Sequence, residues 1–146
     1  MFALILSNIT LDDILDHQTF DLLKEIESDI KGLCFVLHRE PDENLYFIEE
    51  KIKELEVNTS FINIKRPSKE KLIIKNGVRL LQRRRDFKFI LYANTIEQIH
   101  TFNAFKHELK ALSPKDDLSE LQVFSNRYVH YNNIYRLEDF LLRKPA

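Results

Sequence analysis

Glycine is almost absent from this chain of 146 residues, which holds two, Gly32 and Gly77. Loops of the G-x-G-x-x-G or G-x-x-x-x-G-K-[ST] type need several glycines to bring backbone N–H groups onto phosphates, and neither pattern occurs. Dinucleotide and P-loop nucleotide binding are therefore not expected, and no cofactor is. The G-x-S-x-G turn that presents a nucleophilic serine is missing too. Cysteine occurs once, which excludes an intramolecular disulfide, and Cys34 lies in the apolar run Leu33-Cys34-Phe35-Val36-Leu37, the setting of a buried, inert thiol. His17, His38, His100, His107 and His130 show no metal-ligand spacing such as H-E-x-x-H, so no metal site is expected. The apolar N-terminal run, residues 2–6, has no basic lead and is far too short for a signal core or a membrane span. A cytoplasmic protein without membrane contact is the expectation.

What is present is an ordinary globular composition, 44% hydrophobic and 31% charged. At this length a single domain over residues 1–146 buries roughly 70% of the surface its unfolded chain exposes. Residues 2–6, 33–37, 61–64 and 87–92 are apolar runs of strand length. Between them apolar residues recur at helical spacing, as in Leu45, Ile48, Ile52 and Leu55. Thr10 to Asp13 and Thr95 to Gln98 resemble capping boxes, and Asp42 after Pro41 reads as an N-cap. A helix is expected over 96–112, a fifth strand near 121–124, and a last helix through Ile134, Leu137 and Leu141 capped by Asn133. Continuously apolar strands alternating with helices predict an α/β fold, a single three-layer domain with a mostly parallel sheet of four to five strands and helices on both faces. Ligands of such sheets sit at the carboxyl ends of the strands, here near Ser7-Asn8, His38-Arg39, Lys65-Arg66 and Asn94-Thr95.

Charge is sorted along the chain. Residues 1–64 hold 5 Lys/Arg against 14 Asp/Glu, residues 65–88 hold 10 against 2, and residues 89–146 hold 7 against 7, so the formal total of -1 conceals segments of -9, +8 and 0. In the basic segment Asn76-Gly77 invites a hairpin. A hairpin centred there would mix apolar and charged side chains on both faces, with Ile74 opposite Arg79 and Lys71 opposite Gln82. On a helix, Lys71, Lys75, Arg79 and Arg83 form one stripe of roughly 120°, opposite Ile73, Ile74, Val78, Leu80 and Leu81, with Leu72 the exception. The helix is preferred and the hairpin stays the alternative. Gly77 inside that helix costs about 1 kcal/mol against alanine and predicts a bend or weak point.

Two functional expectations follow. The first is a small non-catalytic binding or regulatory protein whose ridge, Lys65, Arg66, Lys71, Lys75, Arg79, Arg83, Arg84 and Arg85, extended by Lys88, engages a polyanion such as nucleic acid, or an acidic protein. The competing expectation for the same stripe is a solvated face that pairs with the acidic helices of the first half. Acidic and basic faces on two copies would also permit self-association. His38, Arg39 and Asn94 are secondary candidates for a strand-end cleft. Pro41-Asp42 followed by Glu49-Glu50-Lys51 matches the letters of a PD-(D/E)xK nuclease, yet the helical periodicity of 42–56 turns Lys51 away from the two acids.

The second expectation is an enzyme or a single lobe of one. The strand, helix and strand through Leu33-Cys34-Phe35-Val36-Leu37-His38 and Asp86-Phe87-Lys88-Phe89-Ile90-Leu91 resemble one α/β lobe of bacterial glycosyltransferases. That resemblance implies nucleotide-sugar or glycan binding. It rests on pattern, without an Asp-x-Asp metal motif, and no residue role is carried over from that family.

Overall fold

The computed structural model describes residues 2–81, 89–100 and 134–138. In chain order the elements are β1 (Phe2–Ser7), α1 (Leu11–Leu15), α2 (His17–Ile26), a short 3-10 turn (Glu27–Asp29), β2 (Ile30–His38), α3 (Asp42–Ile52), β3 (Thr59–Ile64), α4 (Glu70–Leu81), β4 (Phe89–Ala93) and β5 (Ile134–Arg136). Residues 96–100 are also helical. The strands form one parallel sheet in the order β3-β2-β1-β4-β5. This is the expected α/β domain.

Both faces of the sheet are covered, which is why its strands are apolar at consecutive positions rather than at alternate ones. Leu4, Leu6, Leu33, Phe35, Leu37, Leu91 and Ala93 point to one side, where they meet Ile14 of α1, Phe20, Leu23 and Ile26 of α2, and Ile48 and Ile52 of α3. The alternate residues Ala3, Ile5, Cys34, Val36, Ile90 and Tyr92 point to the other, where they meet Ile73, Ile74, Val78 and Leu81 of α4. The chain steps outward from β1 through β2 to β3 with its helices on one face. It returns past them to β4 with α4 on the opposite face, as a consistent crossover hand requires.

Local signals act largely as read. Thr10 and Asp13 form the capping box of α1, with Asp13 N donating to Thr10 Oγ1 at 3.3 Å and Thr10 N to Asp13 Oδ2 at 2.9 Å. Asp16 caps α2 through Thr19 N. Residues 70–81 are helical, not a hairpin, with Lys71, Leu72 and Arg79 exposed and Ile73, Ile74, Val78 and Leu81 buried. Burial of the apolar stripe under α4 outweighs the Asn-Gly turn preference.

Four expectations are corrected. Asp42 is the first residue of α3 and not its cap; the cap position is Pro41, which has no side-chain hydrogen bond to offer, so Asp42 and Glu43 act only on the helix dipole. The reciprocal bonds expected of Thr95 and Gln98 belong to Asn94: Asn94 N donates to Gln98 Oε1 at 3.1 Å and Gln98 Nε2 to Asn94 Oδ1 at 2.5 Å. Ile134–Arg136 is a strand paired with β4, Tyr92 opposite Arg136, rather than the start of a helix; the helical residues are 137 and 138. Three residues are too few to carry a period, and β-branched and aromatic side chains suit a half-buried sheet.

Gly77 is the fourth. The helix runs unbroken through it, and a Cβ there would stand 2.8 Å from Ile5 Cδ1 and 2.9 Å from Ile5 Cγ2. Gly32 is the counterpart on β2, where a Cβ would lie 3.1 Å from Leu81 Cδ2. Both glycines of the chain thus lie at the contact between α4 and the sheet and let the helix approach closely. The strand expected at 121–124, the helix beyond residue 100 and the cap Asn133 fall outside the described residues.

Candidate functional site

The sheet order places a switch point between β1 and β4, where the chain runs outward on one side and returns on the other. Crevices at the carboxyl ends of strands flanking such a point are the usual ligand sites of open parallel sheets. Two non-glycine residues adopt left-handed backbone at this edge: Asn8, φ 56°, just after β1, and Arg39, φ 54°, just after β2. Asparagine tolerates that region, whereas arginine is held there at a cost of about 1 kcal/mol or more. The hold on Arg39 is visible, since its N–H donates to Ile64 O at 2.9 Å. Asn8 Nδ2 donates to Asn94 O at 2.8 Å and bridges the switch point.

Glu40 organises the neighbouring loops. Its Oε1 accepts from Leu11 N at 3.0 Å and its Oε2 from Asn44 Nδ2 at 2.9 Å. Its backbone N–H donates to Asn63 Oδ1 at 3.0 Å, and Asn63 Nδ2 returns a bond to Glu40 O at 2.9 Å. One residue therefore ties three elements together, the start of α1 and the first turn of α3 through its carboxylate and the end of β3 through its backbone. The N–H groups at the start of α1, the position where a dinucleotide fold receives its pyrophosphate, are occupied by the carboxylates of Glu40 and Asp13.

On the α4 side of the same edge is a polar row. Ser7 Oγ and Tyr92 Oη share a buried hydrogen bond of 2.8 Å, and burial raises the Tyr92 phenol above its ordinary range despite that bond. Next to Tyr92 in register, Arg136 Nη2 pairs with Glu70 Oε1 at 2.6 Å, joining β5 to the first turn of α4. His38 Nε2 and Arg136 Nε are buried nitrogens without a hydrogen-bond partner among the described residues.

The sequence candidates map onto this frame in two groups. His38, Arg39, Asn94, Lys65 and Arg66 all fall at the carboxyl edge, Lys65 and Arg66 exposed in the loop from β3 to α4. Lys71, Lys75 and Arg79 run along the outer side of α4, with Lys75 half-buried, each about 6 Å from the next at four residues' rise. Arg83, Arg84, Arg85 and Lys88 lie outside the described residues. Lys65 reaches Asp42 at 3.5 Å, both ends well exposed, while Lys71 and Arg79 make no ion pair among the described residues. The expected pairing of the basic helix with the acidic ones meets an obstacle: α1, α2 and α3 are on the opposite face of the sheet.

Three features escaped sequence reasoning. Glu40 and Asn63 act through contacts about two dozen residues apart, Ser7 and Tyr92 through one 85 apart, and Arg136 was assigned to a helix. Only the strand-end position of Ser7 and Glu40 hinted at them. The nuclease-like letters come apart in space: Asp42 faces Lys65, whereas Lys51 pairs with Glu54 at 3.1 Å and lies over the Phe20 ring at 4.4 Å. Among the described residues no group of three or more His, Cys, Asp or Glu is placed to hold a metal, and no helix is long and apolar enough to cross a membrane. No protein-family model, curated protein or solved structure compared with the chain matches it.

Proposed function

We propose that this is a non-catalytic binding protein that grips a polyanion with the α4 face. The observation that supports the reading is the segregation of charge onto opposite sides of the sheet among the described residues, with the Lys/Arg stripe of α4 on one side and Asp12, Asp13, Asp21, Glu25, Asp42, Glu43, Glu49 and Glu50 on the helices of the other. Lys71 and Arg79 present cations along the outer side of α4, continued by Arg66 and Lys69 in the loop before the helix. Cations spread along one helix and the loop before it suit the phosphates of a flexible chain better than a single small anion.

Fluorescence anisotropy with a labelled single-stranded DNA tests this. Affinity is expected to fall with salt, with a log-log slope of about -2 to -4 for three to five phosphate contacts. The double change Lys71→Glu and Arg79→Glu is expected to weaken binding by at least about tenfold, since each adds repulsion where attraction stood. Binding unchanged by the double variant sinks the reading. A thermal-shift arm with nucleotide sugars addresses the enzyme alternative, because stabilisation there together with indifference to DNA would favour a glycosyltransferase-like lobe.

A further inference from the structure

The two edges of the sheet differ. β5 is three residues long and ends in Arg136, both of which blunt an edge. β3, Thr-Ser-Phe-Ile-Asn-Ile, has six residues with no charge, no proline and no shift of register against β2. Its residues are half-buried up to the last, Ile64. Leu33 N donates to Asn58 O and Arg39 N to Ile64 O, so the even-numbered residues of β3 direct their backbone groups inward to β2. Backbone direction alternates along a strand, so Thr59, Phe61 and Asn63 turn their N–H and C=O groups to the open edge. Beside that edge runs a groove of about 560 Å³ lined by Glu49 of α3 and Lys53 at its C-cap together with Glu56, Asn58 and Phe61. Tyr46, 64% exposed, continues the α3 stripe of Glu49 and Lys53.

We propose that this edge binds a second copy of the chain by antiparallel pairing of β3 with β3, about a two-fold axis through Phe61 and perpendicular to the sheet. Charge selects both the partner and the register. The strand is preceded by Glu54 and Glu56 and followed by Lys65 and Arg66, all exposed, so the sequence from Glu56 to Arg66 is complementary to itself when reversed. With Phe61 opposite Phe61, Thr59 stands opposite Asn63 and Glu56 opposite Arg66 of the other copy. The same register pairs Thr59, Phe61 and Asn63, the residues whose backbone groups face the edge, only with one another. Every one of those groups then gains a ladder hydrogen bond, and sheet order becomes continuous across ten strands. A shift of two residues keeps the ladder, but one way it sets Glu56 against uncharged Ser68, and the other way it sets Glu56 against uncharged Ile64 and leaves Arg66 only Glu54, which lies in the turn after α3 and not beside the strand. The pairing leaves both α4 helices on one face of the joined sheet. It does not depend on what α4 binds.

Light scattering coupled to size exclusion at low salt tests the proposal on the full chain. Wild type is expected at twice its 17.5 kDa in the micromolar range. Glu56→Arg alone and Arg66→Glu alone place like charges together twice per dimer, and each is expected to weaken association about tenfold. The double variant carrying both restores the pair with signs exchanged and is expected to recover the dimer. Phe61→Lys puts two ammonium groups on the axis and is expected to leave a folded monomer, its fold checked by circular dichroism. A wild-type monomer throughout overturns the proposal. So does a dimer indifferent to these changes, or one weakened by the single changes and not recovered by the exchange. Because α4 is unaltered, DNA binding by the single copies reports separately on the polyanion reading.

Discussion

The two faces of the sheet solve the same packing problem differently. On the acidic side, several helices fill the space with large side chains: Phe20, Leu23 and Ile26 of α2, Ile48 and Ile52 of α3 and Ile99 of the helical residues 96–100, against Leu4, Leu6, Phe35 and Leu37. Volume is shared among many residues there, and even the Lys24 and Lys51 ammonium groups lie over the Phe20 ring at 5.6 and 4.4 Å. On the basic side, α4 covers Ala3, Ile5, Cys34 and Val36 with Ile73, Ile74, Val78 and Leu81, and it comes down closely at the two glycines, Gly77 against Ile5 and Leu81 against Gly32. A helix held from below by close approach keeps its outer side for charge, whereas a helix held among neighbours is committed to them.

The sharpest way to break this contrast is to add one methyl group under α4. Gly77→Ala should help by intrinsic helix propensity, by about 1 kcal/mol. Its Cβ, however, would meet three atoms of Ile5 at 2.8 to 3.0 Å, and Ile5 is fully buried with no direction in which to retreat. Overpacking of that kind costs about 1–3 kcal/mol, so a net loss of about 1 kcal/mol is expected in urea unfolding. Ile5→Val removes Cδ1, the nearest of the three atoms. Paired with Gly77→Ala it should cost less than the sum of the two single changes, the mark of direct contact. A stabilised Gly77→Ala protein would show that the helix does not rest on Ile5.

This glycine also shows what the sequence could and could not disclose. The strands were legible because a parallel sheet covered on both faces needs continuous apolar runs, and α4 was legible because its charged and apolar residues separate at helical spacing. Gly77 was misread because local propensity registers its entropic cost and not the isoleucine beneath it, 72 positions earlier in the chain. Ile134–Arg136 was misread because three residues hold no period. The strand-end positions of His38, Arg39, Lys65, Arg66 and Asn94 follow from an all-parallel sheet alone. The bonds that join them, from Glu40 to Leu11 and Asn44 and from Ser7 to Tyr92, require the strand order, which no local pattern encodes.

A smaller effect is expected on the acidic side. Thr10→Ala removes the hydroxyl that accepts from Asp13 N and opens half of the capping box of α1, which costs about 0.5–1 kcal/mol at an exposed N-terminus. Thr10→Ser keeps the acceptor and should be near neutral. Thermal unfolding of the pair measures the hydroxyl separately from the methyl. A loss in Thr10→Ala clearly larger than that in Gly77→Ala would mean that a five-residue helix carries more of the fold than the α4 contact does, and the contrast between the faces would fail.

Cys34 can tell whether the two faces also open separately. It points to the α4 side, has no exposed surface, and burial pushes its thiol up to about 12, with a hydrogen bond involving Ser60 opposing the shift only in part. The thiolate is the reactive form, so at neutral pH the native thiol should resist a disulfide reagent and label only through opening. If α4 lifts from the sheet as its own unit, Gly77→Ala should speed labelling, by about tenfold for each 1.4 kcal/mol of lost docking. Thr10→Ala, which loosens a helix on the far side, should then leave the rate where it was. Equal acceleration by both variants, each in proportion to its loss of global stability, would mean that Cys34 is reached only by unfolding of the whole domain. In that case the difference between the faces is one of packing alone, and the basic helix is as firmly held as the acidic three.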